Sequence, residues 1–406
     1  MKIIPSFKPA ISFRQLNATF LKILFYKISG RRVDIFEDRF SEYLGVKHAI
    51  CVPSGRWGLY YILESLNLEK GDEVITPAFT YFAVPAAVIK LGLKPIFIDI
   101  NSENFNIQFQ KIEENITEKT KVIIATHLCG FVYELDKIID IARRYNIKVI
   151  EDCAQALGAK YKNKKAGSWG DAAYFTFGIT KNFTTLDGGM VTTDNDELAR
   201  ILRDKTRGIL PISKKVLFIR LLKGYIMKFA TLPYLFPVVY YIMKTFAFFN
   251  IDIVDCIFHE NETLLANLSK RRQMNNIQAE LGIMQLNEID KKNAIRIEKG
   301  LELYKILKDI RNVRTPLLEA EAKNIFSTCP ILIQAKRDKK RVLLAKGIDV
   351  SAGYMQDCSK LKIFTGFNRD CPNASSAEDD VLYLPMYPEL TFSELIYIAE
   401  TIKHST

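Results

Sequence analysis

The chain's 406 residues are 48% hydrophobic and 25% charged, an ordinary globular balance with length enough for a large core and a second domain. Seven cysteines without a CxxC pair and four widely separated histidines argue against a disulfide framework and a zinc site, and favour a reducing, cytoplasmic setting. The net charge of +11 is local: residues 1–32 hold seven Lys/Arg and residues 211–250 hold six, neither with an acid, so the remaining body is nearly neutral.

In chain order, the first hydrophobic stretch is broken by Lys8, Arg14, Lys22 and Lys27, so no signal-peptide pattern is read. "FEDRFSEYLG" reads as a short amphipathic helix closed by Gly45, "HAICVPSG" as a strand entering a turn, and "RWGLYYILESLNL" as a helix. Strand "DEVITPAF", helix "AVPAAVIKLG" and strand "KPIFIDI" follow, then strand "KVIIATH", helix "ELDKIIDIARRYN" and strand "IKVIED". "AAYFTF" and "GGMVTT" are strand-like, and "NDELARILRDK" is helical. Short β-branched runs between amphipathic helices predict an α/β fold with a mostly parallel sheet covered on both faces. Beyond it, one polar helical stretch over roughly 270–311, strand "TCPILIQA" and helices "DKKRVLLAKG" and "TFSELIYIAETIK" predict a smaller α/β domain. The expected division is a basic apolar segment (1–35), a large domain (36–207), a basic aromatic insert (208–262), and a long helix with the small domain (263–406).

Ligands of such sheets bind beyond the carboxyl ends of the strands. Three of those ends hold chemistry that belongs together. In "VPSGRWG", Ser54 and Gly55 open a helix whose N-terminal N–H groups suit a phosphate, although Ser54 also reads as a plain N-cap. In "VIEDCAQALGA", Asp152 ends an apolar strand where it can hold a cationic ring nitrogen, with Gln155 one helical turn on to meet a ring oxygen; an N-cap is the alternative. In "YFTFGITKNFTTLDGGM", Lys181 is a solitary amine between hydroxyls Thr176 and Thr180 and ahead of Gly188-Gly189. A lysine in apolar surroundings offers a neutral amine to a carbonyl, whereas a solvated loop lysine does not. A phosphate cradle, a carboxylate and an amine are the anchors of pyridoxal phosphate. Phe79 or Tyr81 is placed to lie on its ring.

These pieces, with "FEDRFSEYLGVKHAICVPSG", "IIATHLCG", "TKNFTTLDGGMVTTDN", "MNNIQAELGIMQLNEID" and "YLPMYPEL" in order, make the chain resemble the DegT-type pyridoxal-phosphate-dependent nucleotide-sugar aminotransferases over most of 36–205 and 263–400. The resemblance implies aminotransferase fold type I, with seven strands sandwiched by helices, and a homodimer with shared active sites. It implies that Lys181 forms the Schiff base and shuttles protons, that Asp152 pairs with the pyridinium nitrogen, and that Gln155 meets the ring hydroxyl. Tyr81 would stack on the ring, and Gly55, Arg56 and Thr176 would bind the phosphate. The implied reaction moves an amino group from glutamate to a keto group of a nucleotide-linked 6-deoxy sugar in glycan biosynthesis. Four features depart from the family pattern. Arg56-Trp57 stand where small residues are usual, and Asp187 where Glu is usual. Arg271, Arg272 and Gln273 fill the region of a cross-subunit Asn, with Arg271 the best-placed substitute. The loop after "DKTRG" is much longer.

That loop is rich in aromatics, and its longest uncharged run, 229–243, is 15 residues with Pro233 and Pro237 inside it, too short to cross a bilayer. Residues 211–250 and 12–32 instead suggest peripheral contact with the inner membrane face, or packing on each other or across the dimer. No nucleic-acid module is present. The rival readings are a non-catalytic scaffold or sensor at a membrane, and a sugar dehydratase of the same family. In the dehydratase branch histidine replaces the Schiff-base lysine, so Lys181 argues against it.

Overall fold

The computed structural model describes residues 2–248, 271–353 and 355–405; the part of the expected insert from 249 to 262 lies outside the described residues. Helices α1 (Phe13–Phe25) and α2 (Arg32–Leu44) lead into β1 (His48–Val52) and α3 (Gly55–Ser65). Then come β2 (Glu73–Pro77), α4 (Ala83–Lys90), β3 (Lys94–Ile98), α5 (Phe109–Glu114), β4 (Thr120–Thr126), α6 (Leu135–Arg144) and β5 (Lys148–Asp152). β6 (Ala172–Thr176), β7 (Gly189–Thr193) and α7 (Asp196–Thr206) complete the large domain.

The seven strands form one sheet in the order β1-β7-β6-β5-β4-β2-β3. Neighbours pair in parallel except β7, which runs against both β1 and β6. The strands are apolar and buried almost end to end because helices cover both faces. The carboxyl ends of β1, β4, β5 and β6 therefore share one edge of the sheet, and reversed β7 begins at that edge with Gly189.

After α7 come α8 (Lys214–Ala230) and α9 (Phe236–Phe248), then α10 (Asn276–Leu286) and α11 (Ile289–Leu307). The single helix expected over about 270–311 is thus two: the Asn287 N–H meets both Ile283 O and Gln285 O, tightening the last turn of α10 before α11 begins. The small domain is an antiparallel sheet of β8 (Val313–Arg314), β9 (Cys329–Ile333) and β10 (Val381–Leu384) with α12 (Lys336–Ala345), α13 (Pro372–Asp380) and α14 (Phe392–Lys403). Ile4 near the N-terminus bridges to Ile348 and is buried in that domain's core.

The two basic segments pack on each other. Helices α1 and α8 run antiparallel, with Phe13 and Phe229 rings 5.0 Å apart and Phe20 and Phe218 6.3 Å apart. Leu16, Ile23, Leu217 and Leu221 are buried in their shared core. Gly224 lets α8 sit close, since a Cβ there would stand 3.2 Å from Leu16 and 3.3 Å from Leu186.

Glu37 on α2 fixes β1 by accepting the Cys51 N–H at 2.7 Å, with Arg203 of α7 at 3.2 Å. Burial pushes its carboxyl up to about 7, against the pull of the Cys51 N–H and Arg203. A raised folded-state pKa stabilises below the unfolded carboxylate value, and that contribution is lost as pH rises through 7. Glu37→Gln is expected to flatten the fall in thermal stability between pH 5 and pH 8, measured by unfolding scans at each pH.

Candidate active site

The lysine loop is held at both ends by aromatics. Phe177 and Phe183 flank Lys181, are fully buried, and lie 4.8 Å apart. Phe36 of α2 stacks on Phe183 at 6.2 Å and meets Phe177 at 6.0 Å, and Phe40 closes the group. The Phe177 N–H donates to Gly188 O at 2.9 Å and the Thr185 N–H donates back to Phe177 O at 3.1 Å, closing the base of the loop. Lys181 itself is half-buried, its N–H on Gly178 O at 3.1 Å.

Glu151 and Asp152, adjacent at the end of β5, meet different environments because successive strand residues face opposite sides. The Glu151 carboxylate accepts N–H groups from Gly167 (2.8 Å), Trp169 (2.7 Å) and Gly170 (2.9 Å), with His127 Nε2 at 3.1 Å. Burial raises it, but the His127 hydrogen bond and charge and the backbone donors outweigh burial and hold it below the usual carboxylate range. For Asp152 burial wins: its carboxyl is raised despite the Tyr174 hydroxyl, the Ala154 N–H and the charges of Lys181 and His127. Asp152 and Lys181 are thus within electrostatic reach of one another.

Gln155 is buried, with its Oε1 accepting the Cys129 N–H at 2.8 Å. Cys129 has φ of 59°, a left-handed conformation unusual for a residue with a side chain. Fixing the carbonyl end leaves the Gln155 amide N–H groups as its remaining hydrogen-bond donors.

Gly55 opens α3 with Ser54 as N-cap, accepting the Trp57 N–H at 3.4 Å. A Cβ at Gly55 would stand 2.0 Å from Thr176 Oγ1, so the helix start and the end of β6 are in direct apposition. A Cβ at Gly189 would meet the Gly55 N at 2.7 Å, which brings the first residue of β7 to the same place. Arg56 is half-buried beside them. Tyr81 is half-buried, 4.9 Å from the Phe82 ring, just past Phe79–Thr80, which pair with Gln356–Asp357 of the C-terminal part. Arg271 lies along α3 of its own chain, its guanidinium 5.3 Å from the Trp57 ring centroid and its Nη1 3.2 Å from Tyr61 Oη.

Gly55 and Thr176, and Asp152 and Lys181, are therefore brought together, while Arg271 stands on the side of α3. Three residues of the site were not singled out from sequence. His127 was legible in "IIATHLCG" as the residue just past β4, whose last residue Thr126 is in register with Asp152. Glu151 was readable only as the first of two acids. Arg220, from α8, pairs with Asp187 at 2.6 Å; no local signal links them. The atoms of His127, Glu151 and Cys153 lie close enough for a metal, but burial holds the Cys153 thiol well above its usual range and Glu151 is already occupied by hydrogen bonds.

This fold and site define a cofactor-dependent transferase, and the comparisons supply the family. The chain matches the DegT/DnrJ/EryC1/StrS aminotransferase family over residues 16–229 and 242–403, and it belongs to that family. It is 32% identical to an uncharacterized protein of Methanocaldococcus jannaschii, covering 98% of this chain and 97% of that one. It is 44% identical over 174 residues to a GDP-perosamine synthase of Caulobacter vibrioides; this match covers 43% of the chain and spans about half (47%) of that relative. A solved Helicobacter pylori aminotransferase involved in the biosynthesis of pseudoaminic acid shares the fold, with a TM-score of 0.78 at 23% identity, covering 100% of this chain and 99% of that one.

The chain is accordingly an aminotransferase by family, and the cofactor implied by its resemblance to that family is pyridoxal phosphate. Its residues fit that group. The Thr176 hydroxyl abuts the Gly55 start of α3, which sets a hydroxyl beside a helix N-terminus, a donor pair that suits a phosphate, and a protonated ring nitrogen would offset the burial that raises Asp152.

Replacing a carboxylate that accepts three backbone N–H groups sets an amide donor against donors. Glu151→Gln is expected to cost about 3 kcal/mol of stability, measured as a lowered urea midpoint of the cofactor-loaded protein.

Proposed function

We propose that this chain transfers an amino group from glutamate to a keto carbon of a nucleotide-linked 6-deoxy sugar for glycan biosynthesis, as a cytoplasmic homodimer. The observation that supports it best is the half-buried Lys181 on an aromatic-clamped loop, within charge range of the buried Asp152 and ahead of the Gly55–Thr176 cradle. The GDP-perosamine synthase relative supports the nucleotide-sugar class.

Pyridoxal phosphate, when bound, supplies an aldehyde and a ring that accepts electrons from the amine-bearing carbon. Gly55 and Arg56 N–H groups and the Thr176 hydroxyl would hold its phosphate. Asp152 would keep the ring nitrogen protonated, and the Gln155 amide would donate to the ring hydroxyl because Cys129 holds its other end. Tyr81 would cover the ring face and exclude water. Arg271 would contribute to the neighbouring subunit's phosphate site. The Lys181 amine would take the proton from the carbon bearing the donor's amine and return it on the far side of the transferred nitrogen, two bonds away, acting first as base and then as acid. A lysine rather than a histidine at this place favours amine transfer over dehydration.

The test follows absorbance and product together. Protein loaded with pyridoxal phosphate should show a visible band that glutamate discharges with one equivalent of 2-oxoglutarate per site. Lys181→Ala should lose both, with kcat lowered by at least roughly 1,000-fold. A band that glutamate leaves unchanged, with no 2-oxoglutarate, would overturn glutamate as donor.

A further inference from the structure

We propose that this protein docks on an anionic lipid surface through the outward stripe of α8, formed by Lys215, Ile219, Leu222, Lys223, Ile226 and Phe229. The stripe follows from helix geometry. Leu217, Leu221 and Gly224 turn toward α1 and the lysine loop and are buried. Ile219, Leu222 and Ile226 recur at i, i+3 and i+7 on the opposite side, and Phe229 borders them at the edge of the stripe, with its ring also against Phe13 of α1. They are 57%, 49%, 60% and 47% exposed, although an outward face of this spacing is normally polar.

The stripe belongs to a wider patch. Among the described residues, sixteen of the twenty-two exposed large hydrophobics fall within 21–26 and 210–242, a clustering that marks an interaction surface. Helix α1 adds Leu21, Leu24 and Phe25 beside the start of α8, where Lys214 Nζ reaches Leu24 O. Helix α9 adds a second exposed stripe with Val238, Tyr241 and Ile242. No described helix is long and apolar enough to cross a membrane, so the geometry is that of elements lying on a surface.

Charge selects the occupant. Residues 1–32 and 211–250 contain thirteen cations and no acid. Several are used inside the fold: Arg220 on Asp187, Lys228 on Glu389 and Lys22 on Glu280. Lys27, Lys215 and Lys223 remain exposed beside the apolar stripe. A two-fold dimer through this patch would gather both copies' cations into one contact with no acid from 1–32 or 211–250 to relieve them. A bilayer bearing anionic headgroups meets both the apolar stripe and its cations.

The test uses the full chain loaded with pyridoxal phosphate. It should co-sediment with phosphatidylcholine vesicles containing phosphatidylglycerol, stay in solution with phosphatidylcholine alone, and be released by salt. Leu222→Glu with Ile226→Glu, and separately Lys215→Ala with Lys223→Ala, should each lower the partition roughly tenfold or more. Unfolding midpoints and glutamate half-reaction should be unchanged. Absence of binding to the anionic vesicles, or binding that both double variants retain, overturns the proposal. So does a glutamate pair that turns a lipid-free dimer into monomers, because the stripe is then an interface between copies.

Discussion

The site depends on one packing arrangement, the group of Phe36, Phe40, Phe177 and Phe183. A loop lysine would ordinarily point at water and lose its conformation to entropy. Here the residues four before and two after Lys181 are buried rings, and burying a Phe is worth about 2–3 kcal/mol. The loop can therefore project its amine toward the sheet edge without being ordered by a ligand. Gly282 preserves the arrangement from the far side: a Cβ there would meet the Phe36 ring at 2.6 Å. The reversed strand β7 adds the second constraint, since only a glycine at its first residue lets it reach the Ser54–Gly55 helix start.

Around this frame, electrostatics divides two adjacent acids. Glu151 has its partners built in, so it anchors the Gly167–Gly170 turn and His127. Asp152 is buried with less compensation and is raised, the condition of a carboxylate poised for a cation. The basic helices join the same account. Helix α8 touches the loop through Gly224 near Ile179 and Leu186 and through Arg220 on Asp187. The shorter reach of Asp187 compared with Glu is thus matched by a cation that comes to it. The surface of α8 that faces away from the sheet remains apolar.

Much of this was legible in the sequence where chemistry follows periodicity. Apolar runs ending in Ser54-Gly55, in Asp152 and before Lys181 placed those residues at one sheet edge, because parallel strands share their carboxyl ends. The seven-strand sheet and its largely parallel sense followed from alternation and from the family resemblance. What was not legible depends on long-range contact. Arg220 and Asp187 are 33 positions apart with β7 and α7 between them, and His127 meets Glu151 only through the β4–β5 register. The basic residues of α8 scatter around the helix; the regular stripe is the apolar one, visible only once the buried face is known. Arg271 was placed by motif alignment, while its actual neighbours, Trp57 and Tyr61, are set by the packing of α3.

The central claim is that Lys181 is the amine presented to the cofactor's aldehyde. The most direct measurement is borohydride reduction of the protein incubated with pyridoxal phosphate, followed by proteolysis and mass spectrometry. The account predicts a single pyridoxyl adduct on the peptide containing Lys181, formed at one equivalent of cofactor per chain. An adduct on a different lysine, or labelling spread over surface lysines with Lys181 unmodified, would contradict it.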